Sequence, residues 1–194
     1  MLTWIDLETT GFTELDKKGV YHHEILEIGI LITDDQMNLV DSLSLVIGHT
    51  EEVLEKCDDI VLRMHEQNGL FGDCFKSTLT LADAEQQILE FFNKNGVEKK
   101  QSPLCGSSIY LDRAFIEAKM PLLNEHLHYR NMDVSSVALF MKSVGINAKI
   151  IKKDSHRALD DIKDSLSNAR RYAEAFNKIL GFKTDLDKSI DPSL

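Results

Sequence analysis

The amino-acid sequence predicts a single α/β domain, in which helices pack against the faces of a mixed sheet of about five strands. The length of 194 residues suits one hydrophobic core. The first fifty residues contain consecutive apolar strands, and the rest of the chain alternates short apolar segments with segments of helical period. We expect the domain to span residues 1–180 and residues 181–194 to form a loose polar tail.

The strands are predicted from apolar runs that end in polar or turn-forming residues. The second run is rich in Ile and Leu, and the third alternates apolar with polar residues. The first three runs follow one another directly and predict a meander, whereas a helix separates each later pair. The five runs cover residues 2–7, 24–33, 39–47, 103–106 and 128–133.

The helices are predicted from apolar residues that recur every three or four positions. This period is clearest at Leu81, Ala84, Ile88, Phe91 and Phe92, within a region of helical pattern that spans residues 51–92. Further helices follow the fourth and fifth apolar runs, and the last one extends from about residue 157 to 178. The predicted fold is therefore a strand meander followed by strands that alternate with helices.

The composition excludes several classes of protein. With 43% hydrophobic and 28% charged residues the chain is globular, and it contains no apolar run long enough to span a membrane. Its three cysteines are an odd number without CxxC spacing, so neither a disulfide framework nor a thiolate zinc site is indicated, which favours the reducing cytoplasm. The net charge of −10 argues against wrapping long duplex nucleic acid, because such binding needs Lys and Arg at the phosphates. A carboxylate cluster that binds divalent cations could still attract phosphate.

Two acids in the first strand are the first candidate site residues. Asp6 and Glu8 lie two positions apart, so both side chains point to one face of the sheet. Buried carboxylates cost several kcal/mol of desolvation unless they are paired or bound to metal. The alternative is that the strand frays at Asp6 and leaves both acids in solvent.

The last helix supplies another acid. Asp161 falls near the edge of the apolar stripe of this helix, and His156 lies just before the helix begins. The alternative is that His156 only happens to lie near the helix start, while Asp161 is stabilised by the helix dipole. Asp112 begins the helix after the fourth apolar run, where a strand end often delivers site residues. Together the four acids offer oxygen ligands, which suit Mg²⁺ or Mn²⁺ rather than Zn²⁺.

Five ordered motifs within residues 1–178 resemble the DEDDh family of 3′-to-5′ exonucleases, and most closely its branch that degrades short oligoribonucleotides. The motifs are Trp4-Ile5-Asp6-Leu7-Glu8-Thr9-Thr10-Gly11, Cys105-Gly106-Ser107-Ser108 with Asp112-Arg113, His128-Tyr129-Arg130, Asp133-Val134-Ser135, and Ser155-His156-Arg157-Ala158-Leu159-Asp160-Asp161-Ile162. The resemblance implies a ribonuclease-H-like fold and hydrolysis of phosphodiester bonds at a two-metal site.

By this resemblance, Asp6, Glu8, Asp112 and Asp161 would hold two divalent cations, Mg²⁺ or Mn²⁺, about 3.5 to 4 Å apart. His156 would take a proton from the attacking water, because the pKa of histidine lies near the working pH. The product would be a nucleoside 5′-monophosphate.

The resemblance also suggests substrate-binding residues. Ser108, Arg130 and Ser135 would cap the 5′ phosphate of a short RNA, since a guanidinium and two hydroxyls can satisfy several phosphate oxygens. The alternatives are that Arg130 pairs with an acid and that Ser135 caps a helix. Family members form homodimers, and the residue that matches Tyr129 reaches the partner's site.

Several positions depart from the family pattern. Phe12 replaces the usual Leu, and its ring could stack on a base. Ile60 replaces a common Trp and loses that aromatic platform. The loop over residues 12–23 is about six residues longer than usual, and residues 145–153 match poorly. His65 aligns near the substrate, but as a lone histidine in a helical segment it is predicted to be an exposed helix residue.

Three functions remain open. The first is a metal-dependent 3′-to-5′ exoribonuclease acting on short oligoribonucleotides, which the cap residues favour. The second is an exonuclease acting on longer single-stranded RNA or DNA, which Ile60 and the long first loop favour. The third is a non-catalytic oligonucleotide-binding protein, which the complete set of acids disfavours.

Overall fold

The computed structural model describes residues 1–12, 19–153 and 155–180. Five strands form one sheet in the order β3-β2-β1-β4-β5. They are β1 (Leu2–Thr9), β2 (Ile25–Thr33), β3 (Leu39–Val46), β4 (Leu104–Gly106) and β5 (Asn131–Asp133). Pairing is antiparallel among β1, β2 and β3, and parallel between β1 and β4 and between β4 and β5. The predicted five-stranded mixed sheet is therefore confirmed, although the fifth strand is shorter than expected.

Eight α-helices and one 3₁₀ helix lie within the described ranges. The α-helices are α1 (Gly19–His22), α2 (Asp59–Asn68), α3 (Leu70–Lys76), α4 (Leu81–Lys94), α5 (Tyr110–Lys119), α6 (Pro121–His126), α7 (Val134–Ser143) and α8 (Ala158–Leu180). The 3₁₀ helix covers Glu51–Lys56. The helical region predicted over residues 51–92 is thus four separate helices. Gly69, with a left-handed φ of 77°, separates α2 from α3.

The central strands are apolar because helices cover both faces of the sheet. Trp4 and Ile5 are consecutive in β1, point to opposite faces, and are both fully buried. Ile5 belongs to a core that includes Ile88 of α4 and Phe115 of α5. Trp4 belongs to a second core that includes residues of α7 and α8. This two-sided burial explains why no polar alternation is seen in the first strand.

Helix α8 lies unusually close to the sheet at Gly29 of β2. A Cβ atom at this glycine would lie only 2.4 Å from the carbonyl carbon of Ala158, the first residue of α8. Gly29 also pairs with Asp6 across the antiparallel β1–β2 ladder. The absence of a side chain at Gly29 therefore lets the first turn of α8 approach the strand that carries the acids.

Two predicted features lie partly or wholly outside the described residues. They are the long loop over residues 12–23, of which residues 13–18 are not described, and the polar tail over residues 181–194. Within the described part of the chain, no helix is both long enough and apolar enough to cross a membrane.

Candidate active site

Three of the four predicted acids converge at one place. Asp6, Glu8 and Asp161 each offer a carboxylate oxygen, and these oxygens lie within 4.8 Å of one another. Glu8 and Asp161 are buried, at 7% and 4% exposure, and Asp6 is partly buried. Strand β1 does not fray at Asp6, and Asp161 of α8 points to the same face. The alternative of solvent-exposed acids is therefore wrong.

The position of Asp161 is set by two residues of β2 that the sequence analysis did not single out. Gly29 makes room for the start of α8, as described above. Glu27, which pairs with Glu8 across the ladder, accepts two hydrogen bonds from Arg157 (2.9 and 3.0 Å) and one from the backbone N–H of Ala158 (3.0 Å). Glu27 is only 2% exposed, so this charge-assisted contact ties the helix start to the sheet.

Asp112, the fourth predicted acid, lies on the same cavity but is held separately. It is in the first turn of α5, and its Oδ1 accepts a hydrogen bond of 2.9 Å from the backbone N–H of Leu7, the residue between Asp6 and Glu8. Its side chain is buried and lines the cavity together with Asp6, Glu8 and Asp161. The structure therefore brings all four predicted acids to one cavity of about 390 Å³.

Three of these acids, Asp6, Glu8 and Asp112, are difficult to ionise in the absence of a cation. Burial, reinforced by the charges of Asp112, Glu8 and Asp161, raises the pKa of Asp6 well above its usual value. Burial is also the main reason why the pKa of Glu8 rises to about 8 and that of Asp112 to about 7. With all of its acids ionised, the site would therefore contain more negative charge than its surroundings offset.

This donor set fits divalent metal ions. Carboxylate oxygens are the ligands that Mg²⁺ and Mn²⁺ prefer, and a bound cation would replace the protons that the raised pKa values otherwise retain. Arg157 cannot supply the missing positive charge, because its guanidinium also donates to Asp73 (3.0 Å) in addition to Glu27. Asp6, Glu8, Asp112 and Asp161 are therefore the residues that could hold metal here.

His156 lies on the same cavity, in the segment that precedes α8. Its backbone adopts a left-handed φ of 48°, which is uncommon for a residue other than glycine. Asn68, the last residue of α2, donates from Nδ2 to the carbonyl oxygen of His156 at 2.5 Å. The structure thus places the predicted histidine beside the predicted acids and fixes its backbone from a second helix.

Lys152 is a cavity residue that the sequence analysis missed. Its Nζ lies 2.5 Å from Oδ2 of Asp161, and it lines the cavity together with the four acids. Ser155, in the same segment, donates from its hydroxyl to Oδ1 of Asp161 at 3.3 Å. No sequence pattern identified Lys152, because it precedes α8 by six residues in a stretch without helical or strand period.

The prediction that His65 is an exposed helix residue is wrong. His65 is fully buried in α2, and its Nε2 lies 3.5 Å from Oε2 of Glu8. Burial, with the nearby His156 as the second cause, lowers the pKa of His65 to about 4. His65 does not line the cavity, so in this structure it contacts a site acid from the interior rather than facing the substrate.

Phe12 and Ile60 both line the cavity and are exposed, at 46% and 60%. The backbone N–H of Phe12 donates to Oδ2 of Asp58 at 2.9 Å, which fixes the start of the long loop. The two apolar side chains give the cavity a surface on which a base could lie.

Ser108 and Ser135, two of the predicted cap residues, meet in the structure. Their hydroxyl oxygens lie 3.3 Å apart. The side chain that caps α7 belongs to Asp133, whose Oδ1 accepts from the backbone N–H groups of Ser108 (3.1 Å), Ser135 (2.8 Å) and Ser136 (3.3 Å). The alternative that Ser135 caps this helix is therefore wrong, and both hydroxyls remain available to a ligand.

Arg130 and Tyr129 contact each other at the surface instead of joining the two serines. Tyr129 is 75% exposed, and Nε of Arg130 donates to its hydroxyl at 3.2 Å. The guanidinium lies 5.6 Å from the centre of the Tyr129 ring, a cation–π distance. Neither residue lines the cavity of its own chain.

Solved structures with the same arrangement of strands and helices are exonucleases and related nucleases. Exonuclease I of Methylocaldum szegediense superimposes with a TM-score of 0.65 at 15% identity, over 93% of this chain and 42% of that chain. Pop2p of S. pombe, in a form with bound Mg²⁺ and Mn²⁺, gives a TM-score of 0.60 at 13% identity, over 99% of this chain and 86% of that chain. At these identities the likeness shows the fold, which is ribonuclease-H-like.

Sequence comparison gives a closer relation. The model of an exonuclease family, RNase_T, matches residues 3–167. The oligoribonuclease of Acinetobacter baylyi is 42% identical over 179 residues, which cover 90% of this chain and 93% of that protein. The oligoribonuclease of Marinobacter nauticus is 41% identical over 181 residues, which cover 92% of this chain and 97% of that protein. The chain therefore belongs to the oligoribonuclease family of exonucleases.

Proposed function

We propose that this protein is a 3′-to-5′ exoribonuclease that degrades short oligoribonucleotides to nucleoside 5′-monophosphates. The observation that carries the proposal is the convergence of Asp6, Glu8 and Asp161 within 4.8 Å, on one cavity with Asp112 and His156. Family membership agrees with it, because the similar proteins are oligoribonucleases. Turnover of RNA in the reducing cytoplasm fits the three cysteines, which are free thiols.

Asp6, Glu8, Asp112 and Asp161 would hold two divalent cations, Mg²⁺ or Mn²⁺. Such cations polarise a phosphodiester and favour deprotonation of water. The acids contribute by their placement: β1 supplies two of them, and the Glu27 and Gly29 contacts deliver Asp161 to the same face. Burial excludes competing solvent and strengthens every charge interaction in the cavity.

His156 would act as the general base. The oxygen of a water molecule attacks the phosphorus of the last phosphodiester, and His156 takes the proton that this water loses. The bond from phosphorus to the 3′ oxygen of the preceding nucleotide breaks, and that oxygen takes up a proton as it leaves. The terminal nucleotide departs as a 5′-monophosphate, and the shortened strand keeps a 3′-hydroxyl.

Ser108, Ser135 and Arg130 would recognise the 5′ phosphate of a short substrate. The two serine hydroxyls already lie 3.3 Å apart and are not used to cap α7. The exposed guanidinium of Arg130 could add a bidentate contact if it turned away from Tyr129. Phe12 would stack on a base at the cavity. His65, which is buried, would act through Glu8 and not by direct contact with RNA.

The protein would act as a homodimer. Tyr129 is largely exposed and does not line the cavity of its own chain, which agrees with a role at the partner's site. Helix α7 and the residue that follows it also expose a group of large apolar side chains. They are Leu139 (68%), Phe140 (58%) and Val144 (54%). Exposed apolar groups of this kind mark interaction surfaces.

A second candidate substrate is a longer single strand of RNA or DNA. Ile60 favours it, because this exposed aliphatic side chain offers no aromatic surface on which the end of a short substrate could stack. The chemistry and the site acids would be the same for both substrates.

Initial rates of hydrolysis test these functions. The protein is incubated with Mn²⁺ and 5′-phosphorylated RNAs of two, five and twenty nucleotides, and with matching DNAs. Preference for the dinucleotide supports the proposal, and equal or faster cleavage of the longest strand supports the second candidate. No hydrolysis of any strand would contradict both and favour a non-catalytic binding protein.

The variant His156→Ala tests the assignment of the general base. We expect this variant to retain Mn²⁺ binding and to lose about 100-fold to 10,000-fold in turnover, as expected for removal of a general base. Unchanged turnover in this variant would refute the assignment of His156.

A further inference from the structure

Lys152 faces the acids of the cavity but has no role in the function proposed above. Its Nζ lies 2.5 Å from Oδ2 of Asp161, and its side chain is 47% exposed. It lines the cavity that holds the four acids and also an adjoining cavity that reaches Ser135. A positive charge therefore lies where the acids meet the path to the predicted 5′-phosphate cap.

The backbone on both sides of Lys152 is firmly held. The side chain of Asn168 in α8 accepts from the N–H of Ile151 (3.0 Å) and donates to the carbonyl oxygen of the same residue (2.7 Å). Asn168 is only 2% exposed, so these bonds are shielded from water. On the other side, the N–H of Lys153 donates to Asp164, also in α8, at 2.8 Å. The helix that carries Asp161 thus fixes the position of Lys152 as well.

Lys152 is also the cation that lies on the two cavities themselves. Among the described residues that line the two cavities, it is the only Lys or Arg. Arg157 is bound to Glu27 and Asp73. Divalent cations bound to the four acids would offset the charge of those acids, but a phosphodiester brings another negative charge, which grows at the phosphate oxygens during hydrolysis.

We propose that Lys152 is a further catalytic residue, whose ammonium contacts a non-bridging oxygen of the scissile phosphate and stabilises the charge that develops there. This inference rests on the function proposed above. The four-carbon side chain is flexible enough for the ammonium to leave Asp161 once that acid is bound to a cation. Removal of a donor that stabilises developing charge typically costs about 100-fold to 1,000-fold in turnover.

The test compares Lys152→Met with Lys152→Arg and with the control Lys153→Met. Lys153 is adjacent, carries the same charge, and has an 81% exposed side chain that lies outside both cavities. With a 5′-phosphorylated diribonucleotide at saturating Mn²⁺, we expect Lys152→Met to lower kcat about 100-fold and Lys152→Arg to recover part of the loss. The control should stay within about twofold of the natural protein, since its charge is solvated.

Mn²⁺ binding without substrate, followed by electron paramagnetic resonance, separates this role from support of the metal site. The proposal requires Lys152→Met to bind Mn²⁺ as tightly as the natural protein or more tightly, because a competing cation has been removed. Weaker Mn²⁺ binding would overturn it and make Lys152 a supporting residue of the metal site. Unchanged kcat would also overturn the proposal. Lys152 would then only neutralise Asp161 in the metal-free protein and would have no role during hydrolysis.

Product binding tests the phosphate contact independently of hydrolysis. Uridine 5′-monophosphate carries the former scissile phosphate, and calorimetry with Ca²⁺ measures its affinity without turnover. We expect Lys152→Met to weaken this affinity about tenfold, and an unchanged affinity would overturn the contact. If the natural protein hydrolyses no strand, the proposed function fails, whereas this binding measurement still decides whether Lys152 contacts phosphate.

Discussion

Glu8 and His65 form a buried pair in which a neutral histidine accompanies a site acid. His65 is fully buried, and its Nε2 has no hydrogen-bond partner within the described residues. That nitrogen lies 3.5 Å from Glu8 and could donate to it when the carboxylate is ionised. Because burial lowers the pKa of His65 to about 4, the histidine is neutral at neutral pH and adds no positive charge beside Glu8. A neutral His65 would orient Glu8 without placing a positive charge beside the proposed metal site.

Residue type was a good guide to the acids and a poor guide to His65. A pair of acids two apart in an apolar strand must share one face, so Asp6 and Glu8 could be predicted from β geometry alone. His65 was treated as a lone polar residue, although it lies four positions after Val61, on the same buried face of α2. The helical period could have indicated that His65 is buried. It could not have indicated that Glu8 lies next to its ring, because that contact depends on how α2 packs against β1.

The raised pKa values predict an unusual dependence of stability on pH in the metal-free protein. Burial raises the pKa of Glu8 from 4.5 to about 8 and that of Asp112 from 3.8 to about 7, so the folded state keeps protons that the unfolded chain has lost. In EDTA, the free energy of unfolding should therefore be several kcal/mol lower at pH 8 than at pH 5, even after the opposing gain from His65, whose lowered pKa of about 4 favours folding as the pH rises through 6.5. Urea unfolding at pH 5, 6.5 and 8 measures this.

The matched variant for this prediction is Glu8→Gln, which removes one of the two titrating groups. Its free energy of unfolding in EDTA should change less with pH, and Mn²⁺ should stabilise it less than it stabilises the natural protein at pH 8. Glu24, whose pKa is lowered, loses its contribution only below its normal range, whereas His65 opposes the fall between pH 5 and 6.5 in the natural protein and in the variant alike. An identical slope in the natural protein and Glu8→Gln would contradict the prediction.

At the scale of elements, β2 is as important to the site as the strand that carries the acids. Glu27 and Gly29 lie opposite Glu8 and Asp6, and both contact the start of α8. One residue binds the helix through Arg157, and the other leaves space for its backbone. The site therefore depends on a strand–helix contact between segments about 130 residues apart in sequence.

The strands and helices themselves could be predicted from periodicity, but the contact between β2 and the start of α8 could not. Strands β2 and β3 and helix α8 lie within two residues of their predicted bounds, whereas the helical region predicted over residues 51–92 is divided into several helices. A single Glu in the fully buried strand β2 was a signal, because a buried acid needs a partner. Its partner could not be chosen from the pattern, since several Lys and Arg residues were equally possible. The three-dimensional register selects Arg157.

Gly29→Ala should damage both stability and metal binding. The new Cβ atom would lie 2.4 Å from the backbone of Ala158, so α8 must move away from β2 and carry Asp161 with it. We expect a loss of about 1–3 kcal/mol in the free energy of unfolding, as for other overpacked sites, and weaker binding of Mn²⁺. Urea unfolding and Mn²⁺ titration measure the two effects.

Gly72→Ala is the control for this substitution. Gly72 lies in α3, and a Cβ atom there meets nothing within 4 Å. Alanine should therefore be neutral or stabilise the helix by about 0.5–1 kcal/mol. If Gly29→Ala behaved like Gly72→Ala in both measurements, the close approach of α8 would not govern the position of Asp161.

A second contact between elements predicts a kinetic effect without loss of metal. Asn68 ends α2, its Nδ2 donates to the carbonyl oxygen of His156, and its Oδ1 accepts from Leu70. In Asn68→Ala, His156 should lose its fixed left-handed backbone, so kcat should fall about tenfold while KM and Mn²⁺ affinity stay unchanged. Steady-state kinetics with a short RNA gives kcat and KM separately.

Gln67→Ala serves as the control, because Gln67 is the exposed neighbour in the same helix. It should retain the kcat of the natural protein, and Asn68→Ser should recover part of the loss through its hydroxyl. An equal fall of kcat in Asn68→Ala and Gln67→Ala would show that the end of α2 acts only through general stability.

For the whole molecule, the net charge of −10 is compatible with a nucleic-acid substrate because the charges are segregated. Residues 1–60 contain 14 acids and 3 bases, whereas the rest of the chain is nearly balanced. Asp6 and Glu8 belong to the acidic part and would be neutralised by bound cations. A short strand that enters the cavity would meet this neutralised site and Lys152, and the remaining acidic surface would disfavour long duplexes.

The order of strands, with β4 and β5 parallel to β1, brings the segment after β4 and the start of α8 to the same end of the sheet. The sequence predicted which segments are strands, but local periodicity does not define their order. The family resemblance carried that part of the prediction. The role of an exposed residue such as Tyr129 could not be predicted in the same way. It depends on contacts with a second chain, and neither the periodicity of the sequence nor the structure of one protomer shows those contacts.

The proposed homodimer leads to a complementation test at the scale of the assembly. If Tyr129 completes the partner's site, Tyr129→Ala and His156→Ala should each form inactive dimers. In a mixed dimer, the Tyr129→Ala protomer keeps its own His156 and receives an intact tyrosine from the partner. Mixing equal amounts after reversible dissociation should therefore restore about a quarter of the natural activity, because half of the dimers are mixed and each has one complete site.

Sedimentation of each variant at twice the chain mass of 22.0 kDa confirms that both remain dimeric. Phe140→Glu, which places a charge on the exposed face of α7, should sediment as a monomer and give no complementation, whereas Val40→Glu on the edge strand β3 should behave as the natural protein. No recovery from dimeric variants would mean that Tyr129 serves its own chain.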